Sequence, residues 1–328
     1  MPSSRPTRAA AATLLIAALV TSPARAAGTG QIFVSNERSS QIFVLTPDGD
    51  VTASFESCGR PRGMQFTPDH SRLLVACGSD DTIAEYDVAT HKLAKRFRDV
   101  PDPEAFALSP DGRNLYVSNE DDAEATVIDI ETGAVVQHYP MGDEPEGVLA
   151  TPDGRLVFVA SEAANLVQVI DVATKKVVKG IITATRPRRF TITPDGKHVW
   201  VSDEIAGLVE IIDVATLAIV GRVTFDVPGL RHDEITPVDM AISRDGRTAY
   251  VTLGRANRVA VVDVGTLKTT DFILTGKRPW GLRLSRDETR LYVANGLSDD
   301  VAIVDTAARK VIKAVPVGVI PYAVLIDE

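Results

Sequence analysis

The chain has 328 residues and carries 35 lysines and arginines against 44 aspartates and glutamates, a formal net charge of −9. That acidic balance excludes the basic footprint of a general nucleic-acid binder. The length suits one large ring or barrel, or two ordinary domains.

Residues 1–26 read as a cleaved secretory signal peptide. Arg5 and Arg8 supply the positive start, Ala9 to Val20 the apolar core, and Ala24-Arg25-Ala26 the small-residue cleavage site. No later stretch approaches the about 20 continuous apolar residues of a spanning helix, so no membrane span is expected. Residues 27–328 hold no Ser/Gly/Pro-rich linker and are expected to form one domain, periplasmic or secreted. Loss of Arg5, Arg8 and Arg25 takes the net charge to −12. Cys58 and Cys77 are the only cysteines. In an oxidising compartment they either pair or remain two buried thiols, and the sequence leaves both open.

The rest of the chain repeats. Prolines 61, 103, 145, 187, 237, 279 and 321 are spaced 42 residues apart, except for one interval of 50. Three and five residues after each proline the side chain is apolar, from Met64 and Phe66 to Val324 and Ile326, which marks a strand with one buried face. A Thr/Ser-Pro-Asp-Gly turn follows in most copies, as at 151–154, and closes a hairpin. Second, third and fourth strands then run as in "LVFVAS", "VQVIDVAT" and "KKVVKGII". A period near 42 with four strands predicts an all-β, seven-bladed propeller. The last blade should be closed by one C-terminal strand, "YAVLIDE", and three N-terminal ones. The eight extra residues fall in "TFDVPGLRHDEITPVDM", where His232-Asp233-Glu234 reads as an exposed polar loop or as a lid over the mouth.

Positions that share a phase of the repeat should meet around the axis. The residue after the proline is Arg62, Glu104, Glu146, Arg188, Val238, Trp280 or Tyr322, and Arg189 and Asp239 stand one step further on. The hairpin between strands two and three lies at the same end and adds Glu37, Glu120, Glu162 and Glu204, beside Asn36, Asn119, Asp203 and Asn295. These side chains either line a ligand site at the channel mouth or are loop charges paired to one another. The recurring Asp of "VID", followed three residues later by Thr in most copies, closes a turn. The five histidines fall at five phases of the repeat and lack zinc spacing, so no metal site is expected. The Glu and Asn ring is a weaker calcium alternative.

The pattern "YVSN…VIDxxTxxV…VGxxPxGxxxSPDG" resembles YVTN-type propellers over Gln31 to Glu328. "PRG", "PDPE", "EPEG", "RPRRF", "WVSDEIAG" and "GRANRVAVVD" are similar to a subgroup of exported propellers associated with pyrroloquinoline quinone (PQQ)-dependent catabolism. Glu56-Ser57-Cys58 and Ser285-Arg286-Asp287-Glu288 depart from the pattern. The resemblance implies a partner among exported quinoproteins or transport components.

The first functional expectation is therefore a non-catalytic exported propeller, without cofactor, in the service of PQQ-dependent alcohol catabolism. Its mouth would bind a small anionic molecule or a partner protein, with Arg62, Arg188 and Arg189 gripping carboxylates and Trp280 or Tyr322 stacking. The alternative is a lactonase-like hydrolase with Glu104 and Glu146 as acid and base. An eight-bladed quinoprotein dehydrogenase is set aside, since the chain has seven units and only Trp200 and Trp280.

Overall fold

Alternation of apolar side chains within each repeat drives four short strands into one antiparallel sheet, and the repeat does this seven times. The computed structural model describes Met1 and residues 28–328. The expected signal peptide lies, Met1 aside, outside the described residues. Six blades are continuous in sequence, at 61–97, 103–140, 145–182, 187–224, 237–274 and 279–316, and are numbered 1 to 6 in that order. Blade 7 joins Pro321–Ile326 to Ile32–Asn36, Gln41–Leu45 and Val51–Glu56. One C-terminal and three N-terminal strands thus close the ring.

The core is divided among the seven blade-to-blade interfaces. Trp200 and Ile211 of blade 4, for example, pack on Met240 and Val251 of blade 5, and Phe33 and Ile42 of blade 7 on Phe66 and Leu73 of blade 1. Second and third strands are sandwiched on both faces, which explains fully buried runs such as Leu156–Ser161. Helix is confined, among the described residues, to two short turns, Gly78–Asp80 and His232–Glu234. No described helix is long and apolar enough to cross a membrane.

Cys58 and Cys77 form a disulfide, with Cα atoms 5.6 Å apart. It ties the crossover from blade 7 to the second strand of blade 1. The long insertion between blades 4 and 5 is held down by buried Phe225, Val227 and Ile235. His232 lies against Gly207 in the neighbouring hairpin.

One side chain adds to the ladder that closes the ring. Asp327 accepts hydrogen bonds from Thr29 N at 2.9 Å and Thr29 Oγ1 at 2.6 Å, and its other oxygen meets His70 Nδ1 at 2.6 Å. Burial pushes the Asp327 carboxyl up, but Thr29 and His70 hold it below its ordinary range. A depressed carboxyl stabilises the fold above its unfolded pKa and loses that effect as pH falls through the folded value. Asp327→Ala should therefore lower stability by about 1–3 kcal/mol near neutrality. The gap to the wild type in thermal unfolding should narrow on acidification below pH about 4.

Candidate functional site

Each innermost strand begins with the repeat proline and bulges at once. In blade 3, Pro145 pairs with Ser161 and Val148 with Val159, so Glu146 and Gly147 stand out of the ladder. The same irregularity recurs in all seven blades. It pushes the residues after the proline toward the axis, a use to which bulges are often put beside functional sites. Glycine at 147 and 281 lets neighbouring bulges touch, because a Cβ there would collide with the carbonyl of Arg188 or Tyr322.

Hydroxyls on the second strands hold these bulges. Ser118 Oγ donates to Glu146 O at 2.6 Å and accepts from Ala105 N, and Ser202 Oγ donates to Val238 O and accepts from Arg189 N. Thr252 and Ser35 do the same for Trp280 O and Asp239 N, and for Arg62 O and Ala323 N. The reading of the sequence missed these four hydroxyls, which show only as Ser or Thr at one phase of "YVSN", "WVSD" and "YVTL".

The structure brings most of the expected charged side chains into one network across the mouth; among the described residues, Glu120 enters no ion pair and Asp239 pairs only with Arg283. Arg62 pairs with Glu104, with Glu37 at 3.3 Å and with Glu146 at 3.9 Å. Arg188 reaches Glu146 at 3.2 Å, Glu162 at 2.8 Å and Glu204 at 2.9 Å, and Arg189 reaches Glu146 at 3.0 Å. Tyr322 crosses the channel to donate to Glu146 at 3.0 Å, with the guanidiniums of Arg62 and Arg189 over its ring at 4.9 and 5.2 Å. Trp280 packs on Tyr322 with ring centroids 5.6 Å apart. Val238, at the same phase, adds no polar group.

Three arginines were not anticipated: Arg60, Arg186 and Arg278. Each immediately precedes a repeat proline and has a positive φ. Arg60 pairs with Asp102 and Glu104, Arg186 with Glu162 at 2.6 Å, and Arg278 with Glu204 at 2.9 Å. Arg at that phase of the repeat was the available signal.

Metal readings fare poorly. Asp102, Glu104 and Glu120 bring carboxylate oxygens within 4.8 Å of one another, but Arg60 and Arg62 already neutralise the first two. The asparagines of the calcium alternative turn their Nδ2 groups into the blades, Asn36 on Val34 O, Asn119 on Thr126 and Asn295 on Asp300, and their Oδ1 atoms are covered and accept no hydrogen bond among the described residues.

Burial pushes the Glu146 carboxyl up, but Arg188, Arg189 and Arg62 more than reverse this and hold it well below the usual carboxylate range. Glu162 moves the other way, to about 8, through burial and the neighbouring Glu146 charge. Glu104 is fully buried against Arg60 and Arg62. Glu146, held ionised among three guanidiniums, has no proton to release near neutrality, and Glu104 is sealed as a counterion between Arg60 and Arg62, so the sequence-based acid and base are ion-pair partners.

A cavity of about 120 Å³ lies on the axis beside this network. Its polar walls are Arg189, Asp239 and Arg283, its aromatic walls Trp280 and Tyr322. Asp239 is the carboxylate among these lining residues. Its Oδ2 accepts from Leu282 N at 3.0 Å and Arg283 at 3.1 Å, and its Oδ1 from Met240 N at 2.9 Å.

The model of YNCE-like beta-propellers matches residues 57–193. A Choice-of-anchor I domain model matches 131–289. The chain is a seven-bladed propeller with a YNCE-like stretch. No curated protein matches it in sequence. Among solved structures, it is similar to a functionally unknown protein of Desulfotomaculum acetoxidans (TM-score 0.78, 18% identity, 91% of this chain and 99% of that one). It is similar to the periplasmic gluconolactonase PpgL of Pseudomonas aeruginosa (0.77, 20%, 91% and 99%). A Bacteroides fragilis protein provisionally described as a 6-phosphogluconolactonase is comparable (0.78, 18%, 92% and 99%). At these identities the likeness establishes the fold. It also corrects the first functional expectation: the neighbours favour the hydrolase alternative over non-catalytic binding, and no comparison links the chain to PQQ.

Asp203, buried beside Glu210 at a phase where three other blades have Asn, is pushed up to about 8 by burial and the Glu210 charge. A carboxyl raised in the fold contributes stability that is complete below its unfolded pKa and is lost as pH rises through the folded value. Asp203→Asn should therefore match the wild type near pH 4 and exceed it at pH 8, by on the order of 1–3 kcal/mol in chemical denaturation.

Proposed function

We propose that the chain is a lactonase-like hydrolase of the periplasm or the exterior, with its chemistry in the axial cavity. The observation that carries this reading is the joint presence there of the Asp239 carboxylate, the Arg189 guanidinium and the Tyr322 hydroxyl against an aromatic wall. The gluconolactonase neighbour on the same fold supports it. Fold likeness alone would not, since one fold hosts many chemistries.

In this mechanism a lactone ring rests on Trp280 with its carbonyl toward Arg189. Asp239 takes a proton from water as its oxygen attacks the carbonyl carbon. Arg189, already oriented by Glu146, stabilises the oxyanion with N–H groups that need no rearrangement. Collapse of the tetrahedral intermediate breaks the ring C–O bond, and the proton held by Asp239 passes to the departing ring oxygen. The product is the open hydroxy acid. Burial holds the Tyr322 phenol above its ordinary range against the pull of Arg189, so it stays a hydrogen-bond donor throughout.

Purified protein should open five- or six-membered aldonolactones faster than buffer alone. Asp239→Asn should lower kcat by about 10²–10⁴-fold, and Arg189→Met by about 10²–10³-fold. A rate at the buffer level for every lactone in the panel would refute the hydrolase. Full activity of Asp239→Asn would refute this placement of the base.

A further inference from the structure

The charge balance of the site says which lactones it takes. Seven arginines face the mouth and cavity: Arg60, Arg62, Arg186, Arg188, Arg189, Arg278 and Arg283. Each is paired with one or more of seven carboxylates, Glu37, Asp102, Glu104, Glu146, Glu162, Glu204 and Asp239. None of these seven guanidiniums is left over for a phosphate, and the two arginines of the rim that enter no ion pair among the described residues, Arg38 and Arg255, are exposed on the hairpins of blades 7 and 5. A phosphate ester entering here would have to displace a buried carboxylate from its arginine, which strands a charge away from water.

The loops around the mouth add to this bias. Asp99, Asp121, Asp122, Asp143 and Glu144 are exposed, lie on the crossovers and hairpin of blades 1 to 3, and enter no ion pair among the described residues. Their summed field repels dianions and is screened by salt. The walls of the cavity suit a neutral ring instead. Trp280, tilted 59° to Tyr322 and only partly buried, offers an apolar face to the C–H side of a sugar, while the Tyr322 ring is covered by Arg62 and Arg189. Trp280 also brings a neutral donor, since its Nε1–H is covered and has no acceptor among the described residues. At about 120 Å³ the space is smaller than the ~150 Å³ that houses a benzene ring, so a lactone seats there only in part and a charged arm has no room beside it.

We infer that the site selects an uncharged, hydroxylated ring lactone and rejects its phosphorylated counterpart. This rests on the hydrolase reading for the identity of the ligand, but not for the direction of the selectivity. The product, having gained a carboxylate, meets the same unfavourable field and is expelled.

Binding separates this inference from the hydrolase reading. The probes are D-gluconolactam, which is not hydrolysed, and its 6-phosphate, titrated by tryptophan fluorescence and calorimetry. The neutral lactam should bind at least 30-fold more tightly than the phosphate. Trp280→Phe, which keeps a ring and removes the N–H, should weaken the lactam about 10-fold. Glu204→Gln, which leaves Arg278 without a carboxylate partner, should narrow the gap by about 10-fold or more. Should that variant fold poorly, Asp121→Asn/Asp122→Asn/Asp143→Asn/Glu144→Gln alters only exposed loops and should narrow the gap at low salt. Equal or tighter binding of the phosphate, or no binding of either, overturns the inference. Selective lactam binding without turnover of any lactone overturns the hydrolase reading alone.

Discussion

One backbone hydrogen bond, made seven times, sets the geometry of the mouth. The N–H of the residue after the second strand (Glu37, Gly78, Glu120, Glu162, Glu204, Gly254 or Gly296) donates to the carbonyl of the residue before the repeat proline in the same blade. The distances run from 2.7 to 3.2 Å. This bond fastens the hairpin to the entrance of the innermost strand, so glutamates from one and arginines from the other share a rim. Where the hairpin offers glycine instead, a large side chain folds over it: Arg60 over Gly78, Trp280 over Gly296. The two loops are complementary in volume as well as in charge.

The bond has a backbone cost. In six blades the residue before the proline is a non-glycine with positive φ, from Asp102 at 41° to Arg186 at 68°, a conformation unfavourable by roughly 1–2 kcal/mol for an L-residue. Four of these residues are repaid by a side chain from the adjoining hairpin: Asp81, Asn165, Asn257 and Asp299 accept their N–H groups at 2.9–3.0 Å. The strain recurs where the side chain is Ile320 as well as where it is arginine. It belongs to the architecture.

The fold was legible because it is periodic: seven prolines, alternating strands and a split last blade are all stated in the spacing. Phase also located the rim, since the residues after the prolines meet at one end. Their partners were hidden. Phase gives the angular position of Glu146, but not that Tyr322, from the far side of the ring, would reach it across the channel. Whether Glu104 and Glu146 act as acids or as sealed counterions depends on distances to arginines that no spacing encodes. Asp239 looked like one rim charge among many, and only the shape of the cavity singles it out. The role inferred from the resemblance to a PQQ-associated subgroup was not encoded in those motifs, because motifs that build blades recur whatever the mouth does.

The split blade also imposes an order on biogenesis. During translation the strand Ile32–Asn36 emerges among the first, yet its neighbour Pro321–Ile326 is made last. Through nearly the whole of synthesis its inner edge therefore has no partner, and unpaired edges invite pairing with other chains. A ring that shuts only at its last strand is kept from premature closure, and leaves that edge bare until the strand arrives.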